Sequence, residues 1–153
     1  MDKGDLAPDF TLLDDQGEER KLSDFLAKGP VVLFFYPAAM TGGCTAESCH
    51  FRDLAAEFAE VGAQRVGISP DSVAKQRMFS EANDFDYPLL SDEDGEVAKQ
   101  FGVWRRFNPL LHAKRHTFVI DTDRKLLEVV KSELNFTIHA DTALKVLRER
   151  QAS

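Results

Sequence analysis

Two cysteines, Cys44 and Cys49, are the residues of this chain whose type and spacing best suit covalent chemistry. They stand in the segment YPAAMTGGCTAESC, which leaves an apolar stretch, crosses a glycine-rich turn and enters a region of helical periodicity. This order places Cys44 at the start of a helix. Unpaired N–H groups and the helix dipole favour negative charge there, and the thiolate is the reactive form of cysteine. Cys44 is therefore the candidate nucleophile.

The residues just before Cys44 suit a small reactive pocket. The hydroxyl of Thr41 can accept a hydrogen bond from a thiol or donate one to a bound oxygen. Pro37 ends the apolar stretch, stiffens the loop and is placed to shield the sulfur from water. Gly42 and Gly43 let backbone N–H groups approach a ligand closely.

The spacing of the two cysteines has a mechanical consequence. Cys49 follows Cys44 by five residues, which on an ideal helix is a rotation of about 140° and a rise of about 7.5 Å. The Cα atoms are then on the order of 8–9 Å apart, beyond the roughly 7 Å limit for a disulfide. A Cys44–Cys49 disulfide would therefore require the first turn of the helix to unwind.

Each of these residues also has a purely structural interpretation. A buried free cysteine usually behaves as a small hydrophobic residue, and Cys49 fits that description on an amphipathic helix. Thr41 could serve only as a helix cap and Pro37 only as a strand terminator. Their combination within one turn after an apolar strand favours the functional interpretation.

A zinc site is a weaker alternative. It would combine the two cysteines with some of His50, His112, His116 and His139. Zinc sites usually use a tighter spacer of two to four residues and a second ligand cluster, and the sequence offers no such cluster. We expect no metal or other cofactor, and we expect each histidine to be a surface or packed residue.

Length, charge and composition limit the class of protein. The 153 residues fit one domain spanning 1–153, and the net charge of −7 argues against nucleic acid as a partner. No segment reaches the roughly 18 consecutive apolar residues that would span a bilayer. The N-terminal segment MDKGDLAPDF has no apolar signal core. We therefore expect a cytoplasmic protein that does not bind membranes, in which two close cysteines indicate redox chemistry.

The elements that must position Cys44 alternate between strand and helix. The run VVLFFY from 31 to 36 is typical of a central strand buried on both faces, and helical periodicity continues from Gly43 to near Gly62. Further predicted elements are a short helix with a cap at Ser23, strands at 64–69 and 87–90, helices after Ser72 and after a cap at Ser91 or Asp92, a loop at 103–114, a hairpin at 116–120 and 126–130, and a C-terminal helix. This order predicts an α/β fold of thioredoxin-like type with a mixed central sheet flanked by helices.

The segment YPAAMTGGCTAESCHFRD resembles the active-site motif of peroxiredoxins, which is Pro, three residues, Thr, two residues, Cys. It is most similar to the bacterioferritin-comigratory (Q-type) branch, in which a second cysteine often lies five residues further on. The resemblance extends along nearly the whole chain through GDLAPDFTL, FDYPLLSD, FGV and RHTFVID. It implies a thiol-dependent peroxidase with a thioredoxin-like peroxiredoxin fold.

The resemblance also implies roles for matching residues. Cys44 would attack the peroxide O–O bond and become a sulfenic acid, and Cys49 would condense with it to an intramolecular disulfide. Thr41 would bind the peroxide oxygens and Pro37 would screen the pocket. Arg115 matches the active-site arginine of the family. A thioredoxin-like protein would reduce the disulfide, and a monomer is the common state of the branch, although some members dimerise.

The chemistry of the matched arginine supports that role. A permanently charged guanidinium stabilises a thiolate and the charge that develops on a leaving oxygen. From the residues alone, Lys114 and Arg106 compete with Arg115, which could also be a solvated loop charge. Glu47 matches the branch pattern as well, without an assigned catalytic role.

The chain departs from the branch pattern at one position before Cys44. Many members of the branch have proline where this chain has Gly42, so the loop is expected to be more flexible here.

Two alternative functions are also considered. A thioredoxin-type thiol–disulfide oxidoreductase usually has two residues between its cysteines, whereas four separate Cys44 from Cys49. In a non-enzymatic binding or chaperone module, the cysteines would be incidental.

Overall fold

The strand that the sequence predicts to be buried on both faces organises the fold. In the computed structural model, which describes residues 1–105 and 113–153, this strand is Val31–Phe35 and all of its residues are buried. Alternate residues point into two different cores: Leu33 and Phe35 into one, Phe34 and Tyr36 into the other. The second core also contains the side chain of Cys44, so the strand that leads to the reactive segment also helps to bury it.

The described residues form strands and helices in the following order. They are β1 (Thr11–Asp14), β2 (Glu19–Lys21), α1 (Leu22–Leu26), β3 (Val31–Phe35), α2 (Gly42–Asp53), α3 (Ala55–Glu60), β4 (Gln64–Ser69), α4 (Val73–Asn83), β5 (Leu89–Ser91), α5 (Glu96–Gln100), β6 (His116–Ile120), β7 (Leu126–Lys131) and α6 (Ile138–Ala152).

The strands form one mixed sheet in the order β2-β1-β5-β4-β3-β6-β7. Strand β3 pairs in parallel with β4 and antiparallel with β6. The antiparallel register sets Phe34 opposite Thr117, so the start of β6 lies beside the end of β3. The α/β prediction with a mixed sheet is therefore confirmed, and the register brings the residue before β6 to the start of α2.

Two predicted helix boundaries are wrong, and in both cases a distant side chain is the reason. Helix α1 begins at Leu22, so Ser23 lies inside it; the carboxylate of Asp9 accepts from the Ser23 N–H at 3.0 Å. The single helix expected from Gly43 to near Gly62 is interrupted at Leu54. There Arg65 donates to the Phe51 carbonyl at 2.9 Å, an acceptor that an uninterrupted helix would use itself.

The remaining differences are smaller. Ser91 belongs to β5, and the carboxylate of Asp92 accepts from the Val97 and Ala98 N–H groups at the start of α5. The short strand β2 has no counterpart in the sequence prediction. In the loop expected at 103–114, Trp104 forms an antiparallel bridge with Ala113, while the positions of Arg106 and His112 lie outside the described residues. None of the helices in the described ranges has the length and apolar character needed to cross a bilayer.

Candidate active site

Cys44 lies in the first turn of α2, as the sequence predicts. Thr41 occupies the N-cap position, and its carbonyl accepts the first helical hydrogen bond from the Thr45 N–H at 2.9 Å. Gly42 and Gly43 precede Cys44 within the helix. The Cys44 side chain is completely buried, so the helix start that favours negative charge is also shielded from bulk water.

Arg115 is the cation that the fold brings to Cys44. Its Nη2 donates to the Cys44 sulfur at 3.3 Å, and its Nη1 donates to Oε1 of Glu47 at 2.9 Å. Only 5% of Arg115 is exposed, which excludes the solvated loop charge considered above. In the described part of the chain, it is Arg115 and not Lys114 that donates to Cys44; Arg106 falls in the stretch without a description.

Two neighbours fix the position of Arg115. Its backbone N–H donates to the carboxylate of Glu133, with N···O distances of 3.2 and 3.4 Å. Its guanidinium lies over the ring of Phe136, 4.8 Å from the centroid. The same ring would be 2.7 Å from a Cβ atom at position 43. Gly43 is therefore required for the close packing of Phe136 over the start of the helix.

Glu47 is a member of the site without a role predicted from the sequence. It is completely buried, and this burial raises its pKa from 4.5 to about 8, although the charge of Arg115 and the hydrogen bond from Arg115 act in the opposite direction. Its Oε2 atom has no hydrogen-bond partner among the described residues. Glu47 follows Cys44 by three residues, and this spacing indicates that the two side chains share one helix face. The spacing does not indicate that Glu47 is buried.

His139 lies beneath Glu47 and is completely buried. Its Nε2 is 2.8 Å from the Ser132 carbonyl, which can only accept, so Nε2 carries a hydrogen. Burial lowers the pKa of His139, so the ring is neutral, and its Nδ1 accepts from the Thr117 hydroxyl at 2.8 Å. The same Nε2 is 3.5 Å from Oε2 of Glu47. This contact is one between a neutral imidazole N–H and a carboxyl group.

The loop between β3 and α2 carries the other predicted site residues. Pro37 is half-buried one residue beyond Tyr36, and Thr41 is exposed. The Thr41 hydroxyl donates to the Ala38 carbonyl at 2.9 Å and makes no capping hydrogen bond, so capping by this side chain does not explain the residue. The Ala39 N–H donates to the Asp71 carboxylate at 2.6 Å, which fastens the loop to the segment after β4.

Cys49 is half-buried on the same helix and is a free thiol, as is Cys44. Its sulfur lies 3.6 Å from Oδ1 of Asn83, at the end of α4. Helix α2 runs without interruption through both cysteines, so the structure is the dithiol, helical form. The hydroxyl of Tyr87 donates to the carbonyl of Ser48, next to Cys49, at 2.6 Å.

The histidines of the zinc alternative are dispersed. Within residues 1–105 and 113–153, no group of three His, Cys, Asp or Glu side chains is arranged to hold a metal ion. His50 lies 2.8 Å from the Asp141 carboxylate, His116 is half-buried beside Phe118, and His139 faces Glu47. His112 is among the residues that are not described.

Comparison with known proteins identifies the family. The AhpC/TSA family model matches residues 3–129. A Mycobacterium tuberculosis protein named as a peroxiredoxin is 62% identical over 149 residues, covering 97% of each chain. Peroxiredoxin Bcp of Escherichia coli is 40% identical over 150 residues, covering 95% of each chain.

Solved structures agree with this result. The crystal structure of peroxidoxin BcpB from Mycobacterium tuberculosis has a TM-score of 0.93 and 61% identity, with 97% of each chain covered. The bacterioferritin comigratory protein of Xanthomonas campestris has a TM-score of 0.83 and 29% identity, covering 92% of this chain and 91% of that one. The chain belongs to the AhpC/TSA family, and within it to the thiol peroxidases of the bacterioferritin-comigratory (peroxiredoxin Q) branch.

Proposed function

We propose that this peroxidase reduces peroxides with Cys44 as the attacking residue. The observation that carries the proposal is the 3.3 Å contact between Arg115 and the buried Cys44 sulfur. Because the guanidinium cannot lose its proton, it offers a permanent counter-ion to a thiolate. Helix position and cation thus act on the same sulfur.

The first chemical step is a displacement at oxygen. The thiolate attacks one peroxide oxygen, the O–O bond breaks, and Cys44 becomes a sulfenic acid. The leaving oxygen departs as an alkoxide or hydroxide and takes up a proton. Arg115 stabilises this developing charge. The exposed hydroxyl of Thr41 binds the peroxide oxygens, and Pro37 limits the access of water to the Cys44 sulfur.

The substrate class we propose comprises hydrogen peroxide and organic hydroperoxides. Alkyl peroxide reduction is the activity described for the Xanthomonas campestris relative. In this chain the half-buried ring of Phe136 covers Arg115 and Gly43, and Met40, beside Thr41, is 49% exposed. These apolar groups offer an organic substituent a surface to pack against.

The second step we propose is condensation of the sulfenic acid with Cys49, with loss of water. It requires at least the first turn of α2 to unwind, and we propose that the unwinding extends from Gly42 to Cys49. Unwinding breaks the hydrogen bond from Tyr87 to the Ser48 carbonyl and the contact between Cys49 and Asn83. A thioredoxin-like protein then reduces the disulfide. We further propose that the enzyme is cytoplasmic and acts as a monomer. Light scattering of the purified protein would test the monomeric state.

Rapid mixing of the reduced protein with peroxide tests the proposed function. Sulfenic acid should form at Cys44 on the time scale of rapid mixing. A reagent specific for sulfenic acid should capture it, and mass spectrometry of the adduct should identify Cys44 as the modified residue. A thioredoxin-type oxidoreductase would instead react with protein disulfides and show no rapid reaction with peroxide. A binding or chaperone module would react with neither, and either result would refute the proposal.

Replacing Cys49 by serine should separate oxidation from recycling. Cys49→Ser is expected to accumulate sulfenic acid at Cys44 and to stop peroxide consumption supported by thioredoxin, because no intramolecular disulfide can form. An added small thiol should restore turnover by attacking the sulfenic acid directly. The measurement is peroxide loss with each reductant; unchanged turnover with thioredoxin would exclude Cys49 as the resolving residue.

Gly42→Pro should slow disulfide formation. Gly42 is the first helical residue of α2, nothing lies within 4 Å of a Cβ atom there, and Thr41 before it is extended at φ −85° and ψ 156°. Proline suits this position and stabilises such a turn by about 0.4–1 kcal/mol. We expect disulfide formation to slow about two- to fivefold.

Rapid quenching and thiol counting measure that rate. Gly42→Ala is the comparison variant, because alanine also favours the helix over glycine but leaves φ free; slowing in Gly42→Pro beyond that in Gly42→Ala reports the fixed φ of proline. A disulfide rate in Gly42→Pro equal to or above that of the unsubstituted chain would show that the first turn does not limit the step.

A further inference from the structure

Glu47 is a buried acid that takes no part in the steps proposed above. It shares one cation with the reactive cysteine, because Arg115 donates through Nη1 to Glu47 at 2.9 Å and through Nη2 to Cys44 at 3.3 Å. Both acids are completely buried. A single positive charge therefore faces two groups that can each become an anion.

Two anions at this site would leave one negative charge uncompensated in the protein interior. Such an uncompensated buried charge is strongly unfavourable, and buried groups avoid it by keeping a proton. Burial raises the pKa of Glu47 to about 8, so Glu47 is the group that keeps its proton near neutral pH. The negative charge beside Arg115 is then free to reside on sulfur.

The second carboxyl oxygen of Glu47 suits a group that changes its protonation state. Oε2 has no hydrogen-bond partner among the described residues, and a neutral carboxyl group tolerates this better than a carboxylate. The Nε2–H of His139, which donates to Ser132, is only 3.5 Å away. It is near enough to turn toward a carboxylate when one forms.

We propose that Glu47 holds a proton while Cys44 is reduced and releases it when Cys44 is oxidised, so that one negative charge faces Arg115 in both states. The step balances: thiolate, peroxide ROOH and protonated Glu47 give sulfenic acid, ROH and the Glu47 carboxylate. Sulfur is oxidised, the O–O bond is broken and an S–O bond forms. Glu47 loses one proton and the leaving alkoxide gains one, so the number of protons is the same on both sides of the step.

Two other titratable groups, Glu133 and His139, lie near Glu47. Glu133, after β7, is the further acid that raises the pKa of Glu47; it pairs with Arg105 at 2.7 Å. His139 on α6 is neutral. Loss of the thiolate charge leaves Arg115 without an anion on the Cys44 side, which favours ionisation of Glu47. Glu47 thus acts through Arg115 as a proton-holding residue and does not touch the substrate.

Infrared spectroscopy of the full chain tests the inference, which rests on oxidation of Cys44 by peroxide. Cys49→Ser serves as the background because oxidation stops there at the sulfenic acid with α2 folded. We expect the C=O stretch of a protonated glutamate near neutral pH in the reduced protein, shifted by ¹³C-labelling of glutamate and lost on adding one equivalent of peroxide. Cys44→Ser has no thiolate beside Arg115, so Glu47 should be ionised in it and the band should be absent even before peroxide is added.

Two variants assign the band. Glu47→Gln should remove it, whereas Glu57→Gln should retain it, because Glu57 also has a buried carboxyl oxygen without a hydrogen-bond partner in the described structure but lies on α3. A pH indicator should register no net proton uptake on oxidation of the Cys49→Ser background, and uptake of a proton per Cys44 when Glu47→Gln is added.

The outcomes separate the two proposals. A carboxyl band that persists after Cys44 is oxidised, or no protonated glutamate in the reduced protein, overturns the inference and leaves the peroxidase mechanism intact. Failure of Cys44 to oxidise overturns the mechanism itself. If Glu47→Gln does not fold, the isotope-labelled Cys49→Ser protein still decides the question through its own reduced and oxidised spectra.

Discussion

Cys44→Ser is expected to abolish peroxide consumption, with a loss of about 10⁵-fold or more, the scale seen when an enzyme loses its nucleophile. A serine hydroxyl is a poor nucleophile at neutral pH, and among the described residues the side chain that hydrogen-bonds to Cys44 is the cation Arg115, with Glu47 bonded to Arg115 rather than to Cys44. Arg115 at 3.3 Å stabilises an anion that is already formed. It cannot remove a proton from serine, since a guanidinium has no acceptor.

The measurement is peroxide loss with thioredoxin or a small thiol as reductant, together with trapping of sulfenic acid. Cys49→Ser is the matched control, because it removes the other thiol of the same helix and should still form sulfenic acid. A thermal unfolding curve checks that Cys44→Ser is folded, which we expect because serine is close to cysteine in size. Normal turnover by Cys44→Ser would move the chemistry to another residue and overturn the proposed function.

Arg115→Met should lower kcat/KM for peroxide by about 10²- to 10³-fold, the scale of losing one donor to a developing anion. Methionine keeps most of the apolar packing against Phe136 but removes both hydrogen bonds from the guanidinium. Arg115→Lys should recover part of the activity, because one ammonium group supplies the charge without the forked geometry that reaches both Cys44 and Glu47. Single-turnover oxidation rates against peroxide concentration give these values.

Arg20→Met is the matched control for that experiment. Arg20 also donates to a buried carboxylate, that of Asp14 at 3.1 Å, and its guanidinium also lies over a phenylalanine ring, Phe25, at 4.6 Å. It sits on the edge strand β2, so its loss should leave kcat/KM unchanged. An equal loss of activity in both variants would mean that a general effect on stability explains the result for Arg115.

Most of the fold could be predicted from local pattern. The apolar run of β3, the strand β4 and the hairpin of β6 and β7 lie where the sequence indicates, because runs of apolar residues and turn signals act over a few neighbours. The exceptions have distant causes. At the start of α1, the carboxylate of Asp9 accepts from the Ser23 N–H, where the sequence predicts a cap by the Ser23 side chain. At the break between α2 and α3, Arg65 donates to the Phe51 carbonyl.

The sequence by itself determined that Cys44 begins a helix and that Cys49 lies too far along it for a disulfide in the helical form. Both follow from periodicity and helix geometry. Family resemblance, and not spacing, pointed to Arg115. Only the tertiary structure decided what faces the sulfur: the antiparallel pairing of β3 with β6 brings Arg115 to Cys44 across 71 positions. The protonation of Glu47 also depends on that packing, because it is set by the exclusion of water and by charges from distant segments.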